Sequence, residues 1–158
     1  MTKTTYTLTG FIFDNTRKGA KYSFDGEHFK NSGEFLDCAL RRELGYTDWN
    51  VKDSTHFSKD SDISDLRCSI KSGACSLYNE FLGDNFADGL AKYFELVHST
   101  MWAFCTLENN VMSVYTMTAD EFCEFATLFG RWDSYKKKVK IKAQSKKMCL
   151  WLNTMAVM

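Results

Sequence analysis

The chain has 158 residues, of which 44% are hydrophobic and 25% charged, and its 20 basic side chains balance 20 acidic ones. This share of charged residues excludes an intrinsically disordered chain. The zero net charge excludes a global field that would draw the protein to nucleic acid or membrane, so any anion-binding surface is local. The length fits one domain, which we place at residues 1–158.

The six cysteines are scattered and form no CxxC pair, which does not match the ligand spacing of a zinc site. The first residues lack a basic region followed by an apolar one, so no signal peptide is predicted. No apolar run approaches the roughly 20 residues that a membrane span requires. Free thiols fit a reducing compartment, and we therefore expect a cytoplasmic protein with no membrane partner.

The apolar periodicity and the turn residues predict alternating strands and helices along the chain. In chain order they predict strands at 6–13 and 21–24, a helix at 31–44, loop at 46–64, a strand at 66–71 with a return at 74–78, a helix at 86–97, strands at 101–107 and 111–117, a helix at 118–129, a strand at 138–143 and a helix at 145–152. Asn31 and Thr118, each with a glutamate three residues later, predict capped helix starts, and Ser145 predicts a cap on the last helix. This order predicts an α/β fold, bordering on α+β, with a mixed central β-sheet flanked by helices.

The most informative segment is 61–73, in which Asp62 lies nine residues before Lys71. Lys71 ends an alternating strand, and residues at positions i and i+2 of a strand share one face, so Ser69 and Lys71 converge. The segment resembles the PD-(D/E)XK superfamily of restriction-endonuclease-like nucleases. In that family an aspartate near a strand end precedes a strand that carries an acid-x-Lys triplet, and a helical glutamate often joins them.

The resemblance covers roughly residues 31–130 and implies a restriction-endonuclease-like fold with Glu34, Asp62, Ser69 and Lys71 as the catalytic positions. It implies that Asp62 and Glu34 hold Mg²⁺ or Mn²⁺, since carboxylates are hard oxygen ligands, and that Lys71 positions or polarises the attacking water. A metal held in this way polarises a phosphodiester and stabilises the leaving oxygen.

Ser69 is the one departure from the family pattern, because the family has Asp or Glu at this position. A serine hydroxyl is a neutral and poorer metal ligand. Two alternatives follow: another carboxylate compensates, with Asp65 and Glu80 as candidates, or the site does not cleave.

Each of these residues also has a purely structural interpretation. Glu34 can close the cap of its helix, Asp62 can be a turn residue, and Lys71 can be a solvated lysine at a strand end. The pattern of an acid and a lysine is weak by itself, and the strand periodicity and the order of elements add to it.

A basic cluster near the C-terminus supplies three lysines at alternating positions, Lys138, Lys140 and Lys142. On one strand face they would contact DNA phosphates, which supplies affinity without sequence information. The alternatives are a solvated lysine face or an edge strand charged against aggregation.

The sequence thus predicts a protein that acts on DNA through metal-dependent phosphodiester hydrolysis, with a homodimer as one way to cut two strands. The alternative is a catalytically inactive binding module of the kind found in phages and plasmids. Such a module would bind nucleic acid or block a partner protein such as a host-defence component. A third alternative is an unrelated α+β interaction domain.

Overall fold

The computed structural model describes residues 1–14, 16–19, 21–24, 26–50, 61–77 and 83–157. Glu80, one of the carboxylates predicted to compensate for Ser69, lies outside the described residues, as does most of the predicted loop at 46–64. Among the residues described, no helix is both long enough and apolar enough to span a bilayer.

The chain forms the predicted mixture of helices and strands, which confirms a mixed α/β fold. The strands are β1 Thr2–Thr7, β2 Phe11–Phe13, β3 Tyr22–Phe24, β4 Glu27–Phe29, β5 Cys68–Ser72, β6 Ser76–Leu77, β7 Met101–Glu108, β8 Val111–Thr118, β9 Gly130–Asp133 and β10 Lys138–Ile141. The helices are α1 Ser32–Glu43, α2 Phe86–Leu96, α3 Ala119–Phe129 and α4 Lys146–Met155, with a short 3-10 helix at Ser64–Leu66.

The strands are arranged in one central sheet and two smaller ones. The central sheet has the order β1-β8-β7-β5. It is mixed, because β5 runs parallel to β7 while the other neighbours are antiparallel. The smaller sheets, β2-β3-β4 and β6-β10-β9, are antiparallel throughout. The parallel pair is joined by way of α2, since antiparallel strands can use a hairpin whereas parallel strands need a crossover.

The strand predicted at 6–13 is two strands, β1 and β2, that belong to different sheets. The break falls at Gly10, whose φ of +77° lies in the left-handed region that glycine tolerates and L-residues avoid. Just before it, the backbone N–H of Leu8 donates to the carbonyl of Asn110 over 2.7 Å. The strands β4 and β9 were not predicted, because each is short and directly follows a turn or a helix.

The central sheet separates two apolar cores. Alternate residues of its strands point to opposite faces, so Ala103 and Cys105 of β7 join one core while Trp102 and Phe104 join the other. The first core lies between the sheet, α1 and the β2-β3-β4 sheet, and the second lies against α2, α3, α4 and the β6-β10-β9 sheet. The protein therefore has three layers, and β5 forms an edge of the middle one.

The predicted helix caps are confirmed. The Asn31 side chain accepts a hydrogen bond from the backbone N–H of Glu34 over 2.9 Å and so begins α1. Thr118 and Glu121 form a full capping box at the start of α3, and Ser145 caps α4. These side chains satisfy backbone donors that a helix start leaves unpaired. The cap on α1 places Glu34 in its first turn.

Candidate active site

The site begins at β5, an edge strand of the central sheet, and an edge strand has backbone groups that no neighbouring strand pairs. Asp62 covers part of this edge, because its Oδ2 accepts a hydrogen bond from the backbone N–H of Ile70 over 2.6 Å. The next residue, Ile63, forms an antiparallel bridge with Cys68. Asp62 is therefore held beside the Ser69-Ile70-Lys71 triplet, as the sequence spacing predicts for a site of this type.

Lys71 lies on the opposite face of β5 from Ile70, the face shared by its β7 neighbour Phe104. Burial acts to lower the pKa of Lys71, but attraction from Tyr93, Cys75, Asp62 and Asp37 outweighs it, and the pKa of Lys71 is raised overall. A phenol and a thiol are charged only in alkaline solution. Of the four groups, only the acids Asp62 and Asp37 can therefore attract the Lys71 ammonium at neutral pH.

Helix α1 contributes two carboxylates to this cluster, Glu34 and Asp37, which are three residues apart and so lie on one helix face. Burial raises the pKa of Asp37 well above its ordinary value, and the nearby charges of Asp62 and Glu34 raise it further. Arg41 and Lys71 act in the opposite direction but do not offset these effects. Burial is therefore the main cause of the raised pKa of Asp37.

Sequence reasoning missed Asp37, although its spacing from Glu34 on a helix was a usable signal. The Asp37 carboxyl interacts with Glu34, Asp62 and Lys71. Tyr93 was missed as well, because nothing in the spacing of α2 indicates that its hydroxyl approaches a lysine on another element. We use the name carboxylate–lysine cluster for Glu34, Asp37, Asp62 and Lys71.

Glu34 carries an unsatisfied atom. Its Oε1 is buried and accepts no hydrogen bond from the residues that the structure describes. Buried polar atoms in folded proteins are normally paired, and an exception marks stored strain, a functional role or an ion. A cation bound at the carboxylate–lysine cluster would satisfy this oxygen.

Ser69 does not join the cluster as a ligand in this arrangement. Its side chain is 2% exposed, and its Oγ lies 2.6 Å from the Oγ of Ser99, which in turn lies 2.8 Å from the Oγ of Ser61. These hydroxyls satisfy one another. Asp65, the other described candidate for compensation, is exposed and accepts hydrogen bonds from the Tyr46 hydroxyl over 2.8 and 2.9 Å.

The fit of a divalent metal depends on how many ligands it needs. In the part of the chain that is described, no group of three or more His, Cys, Asp or Glu side chains is arranged to hold a metal ion. Mg²⁺, however, keeps several waters and is commonly bound through one or two carboxylates and substrate phosphates. The oxygen chemistry of the cluster and the unpaired Glu34 oxygen fit such a hydrated ion, and they do not fit an all-protein cage.

The C-terminal lysines do not form one exposed face. Lys138 is 4% exposed, whereas Lys140 is half-buried and Lys142 is exposed. Their strand β10 lies between β6 and β9, so the alternative of an edge strand charged against aggregation is wrong. The prediction of phosphate contacts therefore depends on Lys140 and Lys142.

The cysteines do not supply a nucleophile to the site. All six thiols are free, and Cys38, Cys68 and Cys105 are buried. Burial raises the pKa of Cys68 to about 12 and that of Cys75, beside Lys71, also above its ordinary value. Because the thiolate is the reactive form, these cysteines act as small packing residues at neutral pH.

The fold and the site together define a mixed α/β protein with a carboxylate–lysine cluster at the edge of its central sheet. Comparison with protein-family models, with curated proteins and with solved structures finds no match for this chain. The function is therefore inferred from the chemistry of its own residues.

The raised pKa of Asp37 predicts a pH-dependent stability. A carboxyl whose pKa is raised by folding contributes its stability below its unfolded pKa, near 4, and loses it as the pH rises through the folded pKa. We expect Asp37→Asn to raise the melting temperature in EDTA by a few degrees at pH 7 to 8 and to change it little below about pH 4. Thermal unfolding across this pH range tests the effect, and an equal shift at every pH would contradict it.

Proposed function

We propose that this chain acts on DNA as a divergent PD-(D/E)XK-like protein that hydrolyses phosphodiesters with Mg²⁺ or Mn²⁺. The observation that carries the proposal is the hydrogen bond from the Ile70 N–H to Asp62, which fixes this acid beside the strand that carries Lys71. Helix α1 packs on the same strand and adds Glu34, with its unpaired buried Oε1, and Asp37. The sequence resemblance requires an aspartate, a strand lysine and a helical glutamate in one place. A charged lysine among carboxylates is the arrangement that this chemistry uses.

The residues of the carboxylate–lysine cluster would have different roles in this reaction. Glu34 and Asp62 would hold a hydrated metal ion, with Asp37 beside them, and when bound the metal would polarise the phosphodiester and lower the pKa of a coordinated water. The pKa of Lys71 is raised and not lowered by its surroundings, so Lys71 would act as an ammonium at neutral pH. Its ammonium can therefore orient a water or stabilise a phosphoryl oxygen by hydrogen bonding and charge. The partner is DNA in the cytoplasm, and a homodimer would allow both strands to be cut.

Metal binding by Asp62 is tested by comparing two neighbouring acids. We expect Mg²⁺ or Mn²⁺ to raise the melting temperature of the wild type, because a ligand that binds only the folded state stabilises it. Asp62→Asn, which keeps an oxygen for the Ile70 N–H, should abolish this shift and the cleavage of supercoiled plasmid. Asp65→Asn, an exposed acid bonded to Tyr46, is the control and should preserve both. Equal behaviour of the two variants would contradict the assignment.

The second candidate is a catalytically inactive module that binds nucleic acid or a partner protein. The observation that favours it is the Ser69 hydroxyl, which is bonded to Ser99 where the family places an acidic ligand. Such a module would bind DNA in EDTA, with an affinity that falls steeply with salt. Folded wild type that binds DNA and cuts neither supercoiled plasmid nor single-stranded DNA with either metal would favour this candidate.

A further inference from the structure

A groove away from the carboxylate–lysine cluster lies between the β2–β3 hairpin and the turn that joins β7 to β8. It has a volume of about 500 Å³, within the range of roughly 300–1,000 Å³ that is typical of ligand sites. Its lining consists of aromatic rings, one leucine and carboxamides, namely Phe11, Phe13, Tyr22, Leu107, Asn109 and Asn110. No charged side chain of the residues described lines it. We call it the aromatic groove.

The rings of the groove form a row that runs from the core to solvent. Phe13 and Tyr22 are direct partners across β2 and β3, and their ring centroids are 5.0 Å apart. Phe11 and Tyr22 pack on the fully buried Phe35 of α1, at 4.9 and 5.6 Å. Phe13, at the outer end of the row, is 50% exposed. The inner rings are anchored while the outer one is left with an open surface.

The loop that closes this hairpin is basic. The backbone N–H of Asp14 donates to the carbonyl of Lys21 over 2.9 Å, so the loop begins directly beyond Phe13 and Tyr22. Arg17 and Lys18 within it are exposed. The carboxylate of Asp14 accepts hydrogen bonds from the backbone N–H and the hydroxyl of Thr16. Among the described loop residues the positive charges outnumber the negative one.

We propose that the aromatic groove binds the bases of single-stranded DNA, with its backbone phosphates on Arg17 and Lys18. Aromatic rings beside a basic path are the general means by which proteins hold single strands, because every base has a face that stacks. The exposed Asn109 and Asn110 add amide donors and acceptors for base edges. Bases within a duplex are already stacked on one another, so the groove favours a single-stranded or frayed segment.

This inference rests on the proposed function in taking DNA as the partner, and helix α1 connects the two sites. Phe35, on which the groove is built, directly follows Glu34 of the carboxylate–lysine cluster. A strand whose bases are held in the groove would pass along α1 toward the cluster. The substrate class would then be single-stranded DNA or duplex DNA with an unpaired end.

The test measures binding of a short fluorescein-labelled oligothymidylate in EDTA by fluorescence anisotropy, so that cleavage plays no part. We expect Phe13→Ala to weaken binding by about 5- to 150-fold, the range for loss of one base–aromatic stack. Phe13→Trp should retain the affinity. Ile12→Ala is the matched control, because Ile12 is adjacent on β2, points to the other face and is 60% exposed. Neutralising Arg17 and Lys18 together should flatten the salt dependence.

Equal affinities for wild type and Phe13→Ala, or a wild type that prefers duplex to single strand, would overturn the groove assignment. The melting temperature of each variant shows whether it is folded. If Phe13→Ala is not folded, the variant with neutralised Arg17 and Lys18 decides, because an unchanged salt dependence would overturn the assignment. The two proposals fail separately. If the protein cleaves DNA with metal but Phe13→Ala binds the oligonucleotide as tightly as the wild type, only the groove assignment is rejected. If binding depends on Phe13 but no DNA is cleaved, the groove assignment stands and the proposed hydrolysis is rejected.

Discussion

Lys71→Met is expected to reduce metal-dependent cleavage of DNA by about 10²- to 10³-fold, the usual loss when one preorganised electrostatic donor is removed. Methionine preserves much of the apolar length of lysine and removes only the charge and the donors. Binding of DNA in EDTA should change little, because Lys71 would contact only the reacting phosphate, whereas binding depends on contacts along the whole strand. Rates on supercoiled plasmid at saturating Mg²⁺ provide the measurement.

The same variant has a predicted signature in stability. Lys71 lowers the pKa of Asp37, which burial, Asp62 and Glu34 raise, so its removal raises this pKa further. The resulting loss of stability, about 1–3 kcal/mol for a buried polar group left without its partner, should be present at neutral pH. It should disappear below about pH 4, where the carboxyl is protonated in both states.

A double variant separates the catalytic role of Lys71 from this structural one. Lys71→Met with Asp37→Asn removes both charges, so it should recover part of the stability that Lys71→Met loses, as expected for groups in contact. Cleavage should remain lost. Lys146→Met, on an exposed residue at the start of α4, is the control lysine. Recovery of full cleavage in the double variant would show that Lys71 serves only to stabilise the fold.

Trp102→Ala should cause a large loss of stability, about 3–5 kcal/mol, which corresponds to a fall in melting temperature of roughly 6–20 °C for a chain of this size. Trp102 is 1% exposed on the central strand β7. Its ring stacks on Phe122 with centroids 5.4 Å apart and planes inclined by 6°. Alanine leaves a cavity between the sheet and helices α2 and α3 that packed rings cannot fill.

Trp102 also connects the second core to the carboxylate–lysine cluster. Its Nε1–H donates to the Tyr93 hydroxyl over 2.9 Å, and Tyr93 is among the groups that act on Lys71. Trp102→Phe keeps the stacking and removes the donor, so it should cost about 1–3 kcal/mol. The control is Trp151→Ala on α4, a half-buried tryptophan near Phe125 and Phe129, which should cost less than Trp102→Ala in urea unfolding. An equal loss of unfolding free energy in Trp102→Ala and Trp151→Ala would contradict the importance assigned to Trp102.

The sequence by itself determined the local elements of this protein. Helix starts at Asn31, Thr118 and Ser145 were predictable because capping is a contact between residues three positions apart. The strands β7 and β8 were predictable because their apolar residues are sufficient for a buried pair. The resemblance to a nuclease motif predicts that Asp62 and Lys71 share a site, and Asp62 lies beside β5, the strand that carries Lys71.

Only the tertiary structure decided which distant residues share a site. Asp37 belongs to the carboxylate–lysine cluster because α1 packs on the face and edge of β5, and Ser69 is removed from it by a hydroxyl contact with Ser99 from thirty positions away. The division into three sheets and the burial of Lys138 likewise depend on neighbours that are remote in sequence. The physical reason is that charge, burial and hydrogen bonding act through space, whereas periodicity and capping act along the chain.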